Sequence, residues 1–251
     1  MKLQYLGDAR DAFKWDLLHW ICTTSPFSNL LFVPLLTPDR AGSGEGLTSH
    51  HRFNCQDFIR PFLDKLKNEP RCLNRISMLG KLDSKRQFQV SVFGPERFIL
   101  SGAKRSEYWS DFDVSTLENS VVFFDPDNGF ETKRQYEKKK QPGPKWIGHD
   151  ELRELFDRLP QTSVAVVYQH RPFFRKWPDL FDDLTQNLAY VHTAVVVHES
   201  NLAFVGMAGN DEAGRHIATA MKKYADANPS VGFRLLQGQS PTGVTSSLLC
   251  V

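Results

Sequence analysis

The sequence has little cysteine, almost no net charge and no long hydrophobic run. Its four cysteines stand 33, 17 and 178 residues apart, a spacing that offers neither the paired cysteines of zinc sites nor a dense disulfide framework. No stretch of about 18 apolar residues is available to span a bilayer, and the first residues lack the apolar segment of a signal peptide. We therefore expect a cytoplasmic protein with reduced thiols, no membrane association and no bound metal.

The composition is that of an ordinary globular domain. The formal charge is +2, from 31 Lys and Arg against 29 Asp and Glu, so the overall balance does not indicate a polyanion partner. With 41% hydrophobic and 24% charged residues, the chain can bury one substantial core. No Pro, Gly and Ser-rich linker divides it. We predict a single domain over residues 1–251, with a small insertion around residues 76–118.

Helical periodicity alternates along the chain with apolar runs of strand length. We expect helices at 8–22, 58–66, 150–159, 179–188 and 212–227, and strands at 29–36, 88–93, 120–124, 163–168, 194–198, 202–206 and 231–236. Such alternation predicts an α/β fold: a mainly parallel, doubly wound (Rossmann-like) sheet with an antiparallel C-terminal hairpin at the edge.

Polar residues that directly follow a strand are the first candidates for a site, because open α/β sheets bind ligands outside the carboxyl ends of their strands. Asp125 ends the strand at 120–124, and Asn128 follows it. Together, a carboxylate and an amide oxygen can accept both hydrogens of an exocyclic amine and orient its lone pair, as amino-group methylation requires. We predict Asp125 and Asn128 as catalytic residues; a plain turn is the alternative.

Two other segments carry candidate binding residues. Gly42 and Gly44 follow the first strand and would allow a cofactor to approach the backbone closely, although a flexible loop fits equally well and no dinucleotide or P-loop fingerprint is present. Residues 133–146 hold six basic residues against one acidic. We predict that Lys138, Lys139 and Lys140 contact phosphates, with a solvated loop as the alternative.

His170 and Arg171 follow the strand predicted at 163–168. They would then lie at the same edge of the sheet as Asp125. We expect both residues to contact the substrate.

The residues from Tyr5 to Trp15, YLGDARDAFKW, and the tip formed by Asp125, Pro126, Asp127 and Asn128 resemble two family motifs. These belong to the class I S-adenosylmethionine-dependent methyltransferases, and within them to the 23S ribosomal RNA adenine-N6 methyltransferases and the three-cysteine-motif partner proteins. Their motifs are Gly-Asn-x-x-Asp-x-x-Lys-His after a Tyr, and Asp-Pro-Pro-Tyr. Trp15 stands in place of the family's histidine, and Asn128 in place of its aromatic residue.

The resemblance implies a Rossmann-like fold, S-adenosylmethionine as cofactor and nucleic acid as partner. It places Lys14, Asp39, Gly42 and Gly44 near the cofactor; Asp39 and Gly42 are the nearest equivalents of the family's acidic strand end and first loop glycine. Phe130 would replace the aromatic residue that stacks on the target base.

Two alternatives stay open. Asp125, Asp127, Glu131 and Lys133 resemble a Pro-Asp…Glu-x-Lys nuclease signature and supply oxygen ligands for magnesium. The other alternative is a catalytically inactive nucleic-acid-binding module of the same fold.

Overall fold

The computed structural model describes residues 1–38, 54–68, 70–94, 96–99, 103–131 and 143–238. Its helices are α1 (Ala9–Thr24), α2 (Ile59–Lys67), α3 (Ala103–Ser110), α4 (His149–Phe156), α5 (Trp177–Asn187) and α6 (Asp211–Ala227), with 3₁₀ helices at Leu3–Tyr5 and Leu73–Lys81. Its strands are β1 (Asn29–Val33), β2 (Gln89–Val92), β3 (Ser120–Phe124), β4 (Gly129–Phe130), β5 (Trp146–Ile147), β6 (Val164–His170), β7 (Thr193–Glu199), β8 (Leu202–Ala208) and β9 (Gly232–Gln237).

Within these residues, seven strands form one sheet in the order β2-β1-β3-β6-β8-β7-β9. β2, β1, β3 and β6 are parallel neighbours. β8 is antiparallel to both β6 and β7, and β9 is antiparallel to β7. Five strands therefore run in one direction, with β8 and β9 opposed to them. This is the mainly parallel α/β sheet that the sequence predicted, and β7 and β8 form the antiparallel hairpin.

Helices cover both faces of the sheet. α1, α2 and α6 pack on one face, where Val121 and Phe123 of β3 point, while α3, α4 and α5 pack on the other with Val122 and Phe124. All five β3 residues are buried, as expected for a strand covered on both faces. The sheet is therefore doubly wound.

The structure differs from the sequence prediction at the end of the first strand, and it shows how residues 76–118 join the fold. The first strand ends at Val33 instead of residue 36, because Pro34 has no N–H to continue the ladder. In the region 76–118, β2 joins the main sheet as its outer strand, and Tyr108 and Phe112 pack into the core. No helix in the described ranges is long and apolar enough to cross a membrane.

Candidate active site

The carboxyl ends of β1 and β3 lie side by side. At β1 the strand order changes direction, because β2 lies on one side of β1 and β3 lies on the other. The backbone N–H of Asp125, directly after β3, donates to the carbonyl oxygen of Val33 at 3.0 Å. The hydroxyl of Thr37 donates to Oδ2 of Asp127 at 2.8 Å. Open α/β sheets bind ligands at such a divergence, so this edge is the candidate active site.

Lys14 of α1 reaches this edge and forms a buried ion pair with Asp125. Nζ of Lys14 lies 2.7 Å from Oδ2 of Asp125 and 2.6 Å from Oδ1 of Asp11, and none of the three side chains is more than 6% exposed. Burial alone would lower the pKa of Lys14, but Asp11 and Asp125 outweigh it and raise that pKa. Lys14 is therefore charged at neutral pH and fixes Asp125 across 111 residues of sequence.

Asp8 adds a further acidic group at this edge. Its Oδ1 accepts hydrogen bonds from the backbone N–H groups of Arg10 at 2.9 Å and Asp11 at 3.3 Å, and so caps α1. Burial, followed by the charge of Asp11, raises the pKa of Asp8 to about 6. Asp8 forms no ion pair within the described part of the chain, and it is buried beside Asp11 and Lys14.

These groups line a small cleft of about 30 Å³ that is partly open to solvent. Its walls are formed by residues from α1 and the segment before it, from the end of β3 and from β6: Met1, Tyr5, Asp8, Arg10, Asp11, Lys14, Asp125, Pro126, Asp127 and Tyr168. The volume has room for water-sized groups and lies well below the range of about 300–1,000 Å³ that small-molecule sites occupy. The cleft is therefore a small polar notch among buried charges.

Gln169 of β6 fixes the tip that follows Asp125. Its amide oxygen accepts from the backbone N–H of Phe130 at 2.9 Å, and its Nε2 donates to the carbonyl oxygens of Asn128 at 3.1 Å and His170 at 2.7 Å. Gly129 adopts φ +102° against this amide, and a Cβ there would lie 2.3 Å from Oε1 of Gln169. The tip is therefore held by side-chain and backbone bonds.

Asn128 and Phe130 differ in how accessible they are. The half-buried Asn128 donates its backbone N–H to the carbonyl of Lys145 at 2.9 Å and does not line the cleft. Phe130 is 3% exposed and stacks on His149 with the ring centroids 5.1 Å apart. Its ring belongs to the core and presents no open face to a base.

His170 is the last residue of β6 and Arg171 follows it, at the same edge as Asp125, but neither residue lines the cleft. Nε2 of His170 lies 2.9 Å from Nδ2 of Asn201, and burial lowers the pKa of His170 to about 4. Arg171 donates from Nη1 to the carbonyl of Arg175 at 2.7 Å. Both residues are thus attached to neighbouring turns.

The remaining predicted binding residues, Asp39, Gly42, Gly44, Lys138, Lys139 and Lys140, lie outside the described residues.

The acidic residues of the nuclease alternative occupy two places. Asp127 faces the cleft, where its Oδ1 lies 2.8 Å from the amino group of Met1. Glu131 lies beside β5, with its N–H donated to the carbonyl of Ile147 at 3.0 Å, and burial raises its pKa although Arg105 opposes that shift. Lys133 lies outside the described residues. Among the residues that the structure describes, no group of three or more His, Cys, Asp or Glu side chains is arranged to hold a metal ion.

Sequence reasoning did not assign a role to Asp8, Asp11, Arg10 or Tyr168. Asp11 and Lys14 stand three residues apart, which places them on one face of a helix, so their pairing was readable from the sequence. Tyr168 reaches the cleft only because β6 lies next to β3, a neighbour relation that local sequence does not encode.

Fold and site together define a Rossmann-like α/β protein with a buried lysine–carboxylate pair at the sheet crevice. No family model matches the chain, and no curated protein matches it. Among solved structures it is similar to an rRNA methylase from Streptococcus thermophilus, with 10% identity, 79% of this chain and 96% of that chain covered, and a TM-score of 0.31. A similarity of that size supports neither a function nor a fold assignment. The fold assignment therefore depends on the strand order given above.

Proposed function

We propose that this protein is an S-adenosylmethionine-dependent methyltransferase acting on an amino group of nucleic acid. The observation that carries the proposal is the contact between Lys14 and Asp125 at 2.7 Å. These residues belong to the two separate motifs that resemble the methyltransferase family. Their meeting at the crevice of an α/β sheet is what a shared active site requires.

The charges that line the cleft suit the cationic end of S-adenosylmethionine, whose remaining atoms would lie outside this small cleft. The four carboxyl groups of Asp8, Asp11, Asp125 and Asp127 outnumber by one the cationic groups of the same cleft, which are Lys14, Arg10 and the amino group of Met1. The site therefore favours the positive charges of a sulfonium and an ammonium group. Oδ1 of Asp8 caps α1, and the second oxygen of the same carboxyl group would be suited to hold an ammonium or a ribose hydroxyl. Asp39, Gly42 and Gly44 would complete the site. When bound, the cofactor supplies an electrophilic methyl group.

Asp125 would act on the nucleophile. A carboxylate that accepts a hydrogen bond from an exocyclic amine would hold that N–H group in place. The nitrogen lone pair would then be oriented towards the electrophilic methyl group. Asn128 is proposed as the second acceptor through its amide oxygen. Burial raises the pKa of Asp125, and Lys14 opposes that rise and holds the carboxyl group in place, so Lys14 is a positioning residue and not an acceptor.

The proposed nucleic-acid partner would contact the basic residues Lys138, Lys139 and Lys140. They follow the acidic tip closely in sequence, and the segment that carries them leaves from β4 and returns to β5. Arg105 fixes the returning end: it is paired with Glu151, and its Nη2 donates to the carbonyl of Trp146 at 2.8 Å. A fixed base supports a role in presenting these cations to phosphate.

Isothermal titration with S-adenosylmethionine and with S-adenosylhomocysteine tests the cofactor assignment. We expect heat for the wild type and a loss of affinity of at least tenfold for Lys14→Met, because the pair that orders the cleft is gone. Lys65→Met, an exposed lysine of α2, is the matched control and should bind as the wild type does. Absence of heat in the wild type overturns the cofactor assignment.

Methyl transfer is tested separately with methyl-labelled cofactor and RNA or DNA as acceptor. Asp125→Asn should lower turnover by about 100-fold, the effect typical of losing one group that stabilises the transition state. Asp111→Asn, at an exposed carboxylate paired with Arg97, should not change it. Strand binding without cofactor binding would indicate the inactive module instead.

A further inference from the structure

Two phenylalanines project into solvent from a short turn after β6. Phe173 is 100% exposed and Phe174 is 80% exposed. They occupy the central positions of the turn at residues 172–175, which we call the aromatic turn. It is closed by the N–H of Arg175 donating to the carbonyl of Pro172 at 3.0 Å. The rings therefore stand at the apex of a defined turn.

The aromatic turn is attached at both ends to the hairpin turn between β7 and β8. Before it, the N–H of Arg171 donates to the carbonyl of Asn201 at 2.8 Å. After it, Nε1 of Trp177 donates to the carbonyl of Ser200 at 3.1 Å. Nη1 of Arg171 also donates to the carbonyl of Arg175 at 2.7 Å, across the base of the turn. The two rings are thus presented on a braced support.

Nothing in the fold accounts for phenylalanine at these two positions. The central residues of turns favour Gly, Asn, Asp, Ser and Pro, and rings exposed this far contribute no burial to the core. Two adjacent exposed aromatic residues also favour aggregation, which natural surfaces avoid unless a partner covers the rings. Their exposure points to a ligand with flat apolar faces.

The charges around the aromatic turn are complementary to phosphate. The guanidinium of Arg171 lies 5.7 Å from the ring centroid of Trp177, and Lys176 is exposed. Neither forms an ion pair with a carboxylate in the described ranges, whereas Arg175 is paired with Asp183 at 2.6 Å. Two cations next to two exposed rings match the composition of surfaces that bind single-stranded nucleic acid.

From these contacts we propose that the aromatic turn is a stacking platform for unpaired bases, with Arg171 and Lys176 holding the flanking phosphates. The assignment rests on the proposed function, since it specifies that the nucleic-acid substrate is single-stranded where it meets this turn. Tyr168, four residues before Pro172 on the same chain segment, lines the cleft. A strand that stacks on the turn is therefore held beside the proposed active site.

Fluorescence anisotropy with a labelled single strand of mixed sequence, made as RNA and as DNA, tests the platform. Phe173→Ala/Phe174→Ala should weaken binding by about 5- to 150-fold for each base that stacks. Phe173→Trp/Phe174→Trp should retain the affinity. An abasic strand of equal length keeps the phosphates but has no bases, so wild type and double alanine variant should bind it equally.

A matched control is Phe98→Ala, which removes another exposed ring and should leave strand affinity within twofold. Equal losses for the Phe98 variant and the double variant, an unchanged affinity of the double variant, or a loss that persists on the abasic strand would each overturn the platform. The platform would also be overturned if the double alanine substitution weakened binding to a fully paired duplex as much as binding to the single strand. Loss of binding to anionic vesicles with strand binding intact would assign the rings to a membrane surface.

Failure of the platform and failure of the proposed function are distinguishable. The double alanine variant leaves the cleft unchanged, so its titration with S-adenosylmethionine should match that of the wild type. If wild type binds strands through the two rings but gives no heat with the cofactor, the platform stands and the methyltransferase assignment falls.

Discussion

Three charged side chains with almost no exposure meet between α1 and β3, and each depends on the others. Removing one partner of such a network leaves the remaining charges buried without compensation, which typically destabilises a protein by about 3–5 kcal/mol. Lys14→Met removes the cation and leaves Asp11 and Asp125 behind. We expect its free energy of unfolding to fall by about that amount.

Urea denaturation followed by tryptophan fluorescence measures this change. Lys65→Met is again the control, because exposed substitutions usually stay within about 0.5 kcal/mol of the wild type. The loss in Lys14→Met should be smaller at acidic pH, where protonation of Asp125, whose pKa is raised by burial, removes an uncompensated buried charge. Equal stabilities of the two variants at neutral pH would contradict the ion-pair network.

Asp8 should give the unfolding free energy a measurable pH dependence. Its pKa is raised from 3.8 to about 6 in the folded protein, so the fold prefers the protonated carboxyl. The stability that this preference contributes is fully present below about pH 4 and is lost as the pH rises through 6. At about 1.4 kcal/mol per pKa unit, the loss is at most about 3 kcal/mol.

Asp8→Asn isolates that effect, because asparagine also caps helices well but does not titrate. Between pH 4 and 6, the wild type should lose stability relative to this variant, as measured by urea denaturation at each pH. Parallel pH profiles for the two proteins would show that Asp8 does not have a raised pKa.

Among the secondary-structure elements, the start of α1 depends on Gly7. This residue has φ +79°, and an added Cβ would lie 2.7 Å from the carbonyl oxygen of Leu63 in α2. Its N–H also donates to Oδ2 of Asp11 at 2.8 Å. Gly7→Ala should therefore destabilise the protein by about 1–3 kcal/mol and weaken cofactor binding, since Asp11 holds Lys14.

Thermal unfolding and calorimetric titration of the same variant test both effects. Gly209→Ala is a suitable comparison, because its added Cβ would meet only the side chain of Gln161, at 3.2 Å. A Gly7 variant as stable as the Gly209 variant would show that α1 and α2 can separate without loss.

The main helices and strands were predictable because their periodicity is local. β4 and β5 were not predicted, since two-residue strands joined in parallel have no period to detect. α3 was missed because its residues, AKRSEYWS, lack an amphipathic stripe. Each missed element is held by contacts from distant parts of the chain, such as those of Arg105 with Glu151 and Trp146.

The candidate site was predictable only in part, for the same reason. Asp125 and Lys14 were identified from motifs, and β1 and β3 bring their surroundings together. The aromatic turn could not be predicted from the sequence, because residues 170–177 contain several aromatic residues and no local pattern distinguishes the buried rings from the exposed ones. Trp177 packs on Phe181 with ring centroids 5.4 Å apart, whereas Phe173 and Phe174 are exposed.

At the scale of the whole molecule, the formal charge of +2 makes any nucleic-acid affinity depend on local clusters. Binding of a single strand should weaken with added salt, with a logarithmic slope of about −0.7 per phosphate neutralised. Replacing Lys138, Lys139 and Lys140 by Gln should reduce that slope by about 2. Anisotropy titrations over a salt series measure it, and an unchanged slope would exclude these lysines from the contact.

The bonds from Gln169 to both sides of Gly129 have a consequence for molecular recognition. Because the segment from Asp125 to Phe130 becomes ordered when the chain folds, its conformational entropy is lost before any ligand arrives. Under the proposed function, an incoming amine would meet a rigid acceptor instead of inducing one. The shape of the tip would then reject a poorly fitting base, and Gln169, without touching the substrate, would set how strictly it does so.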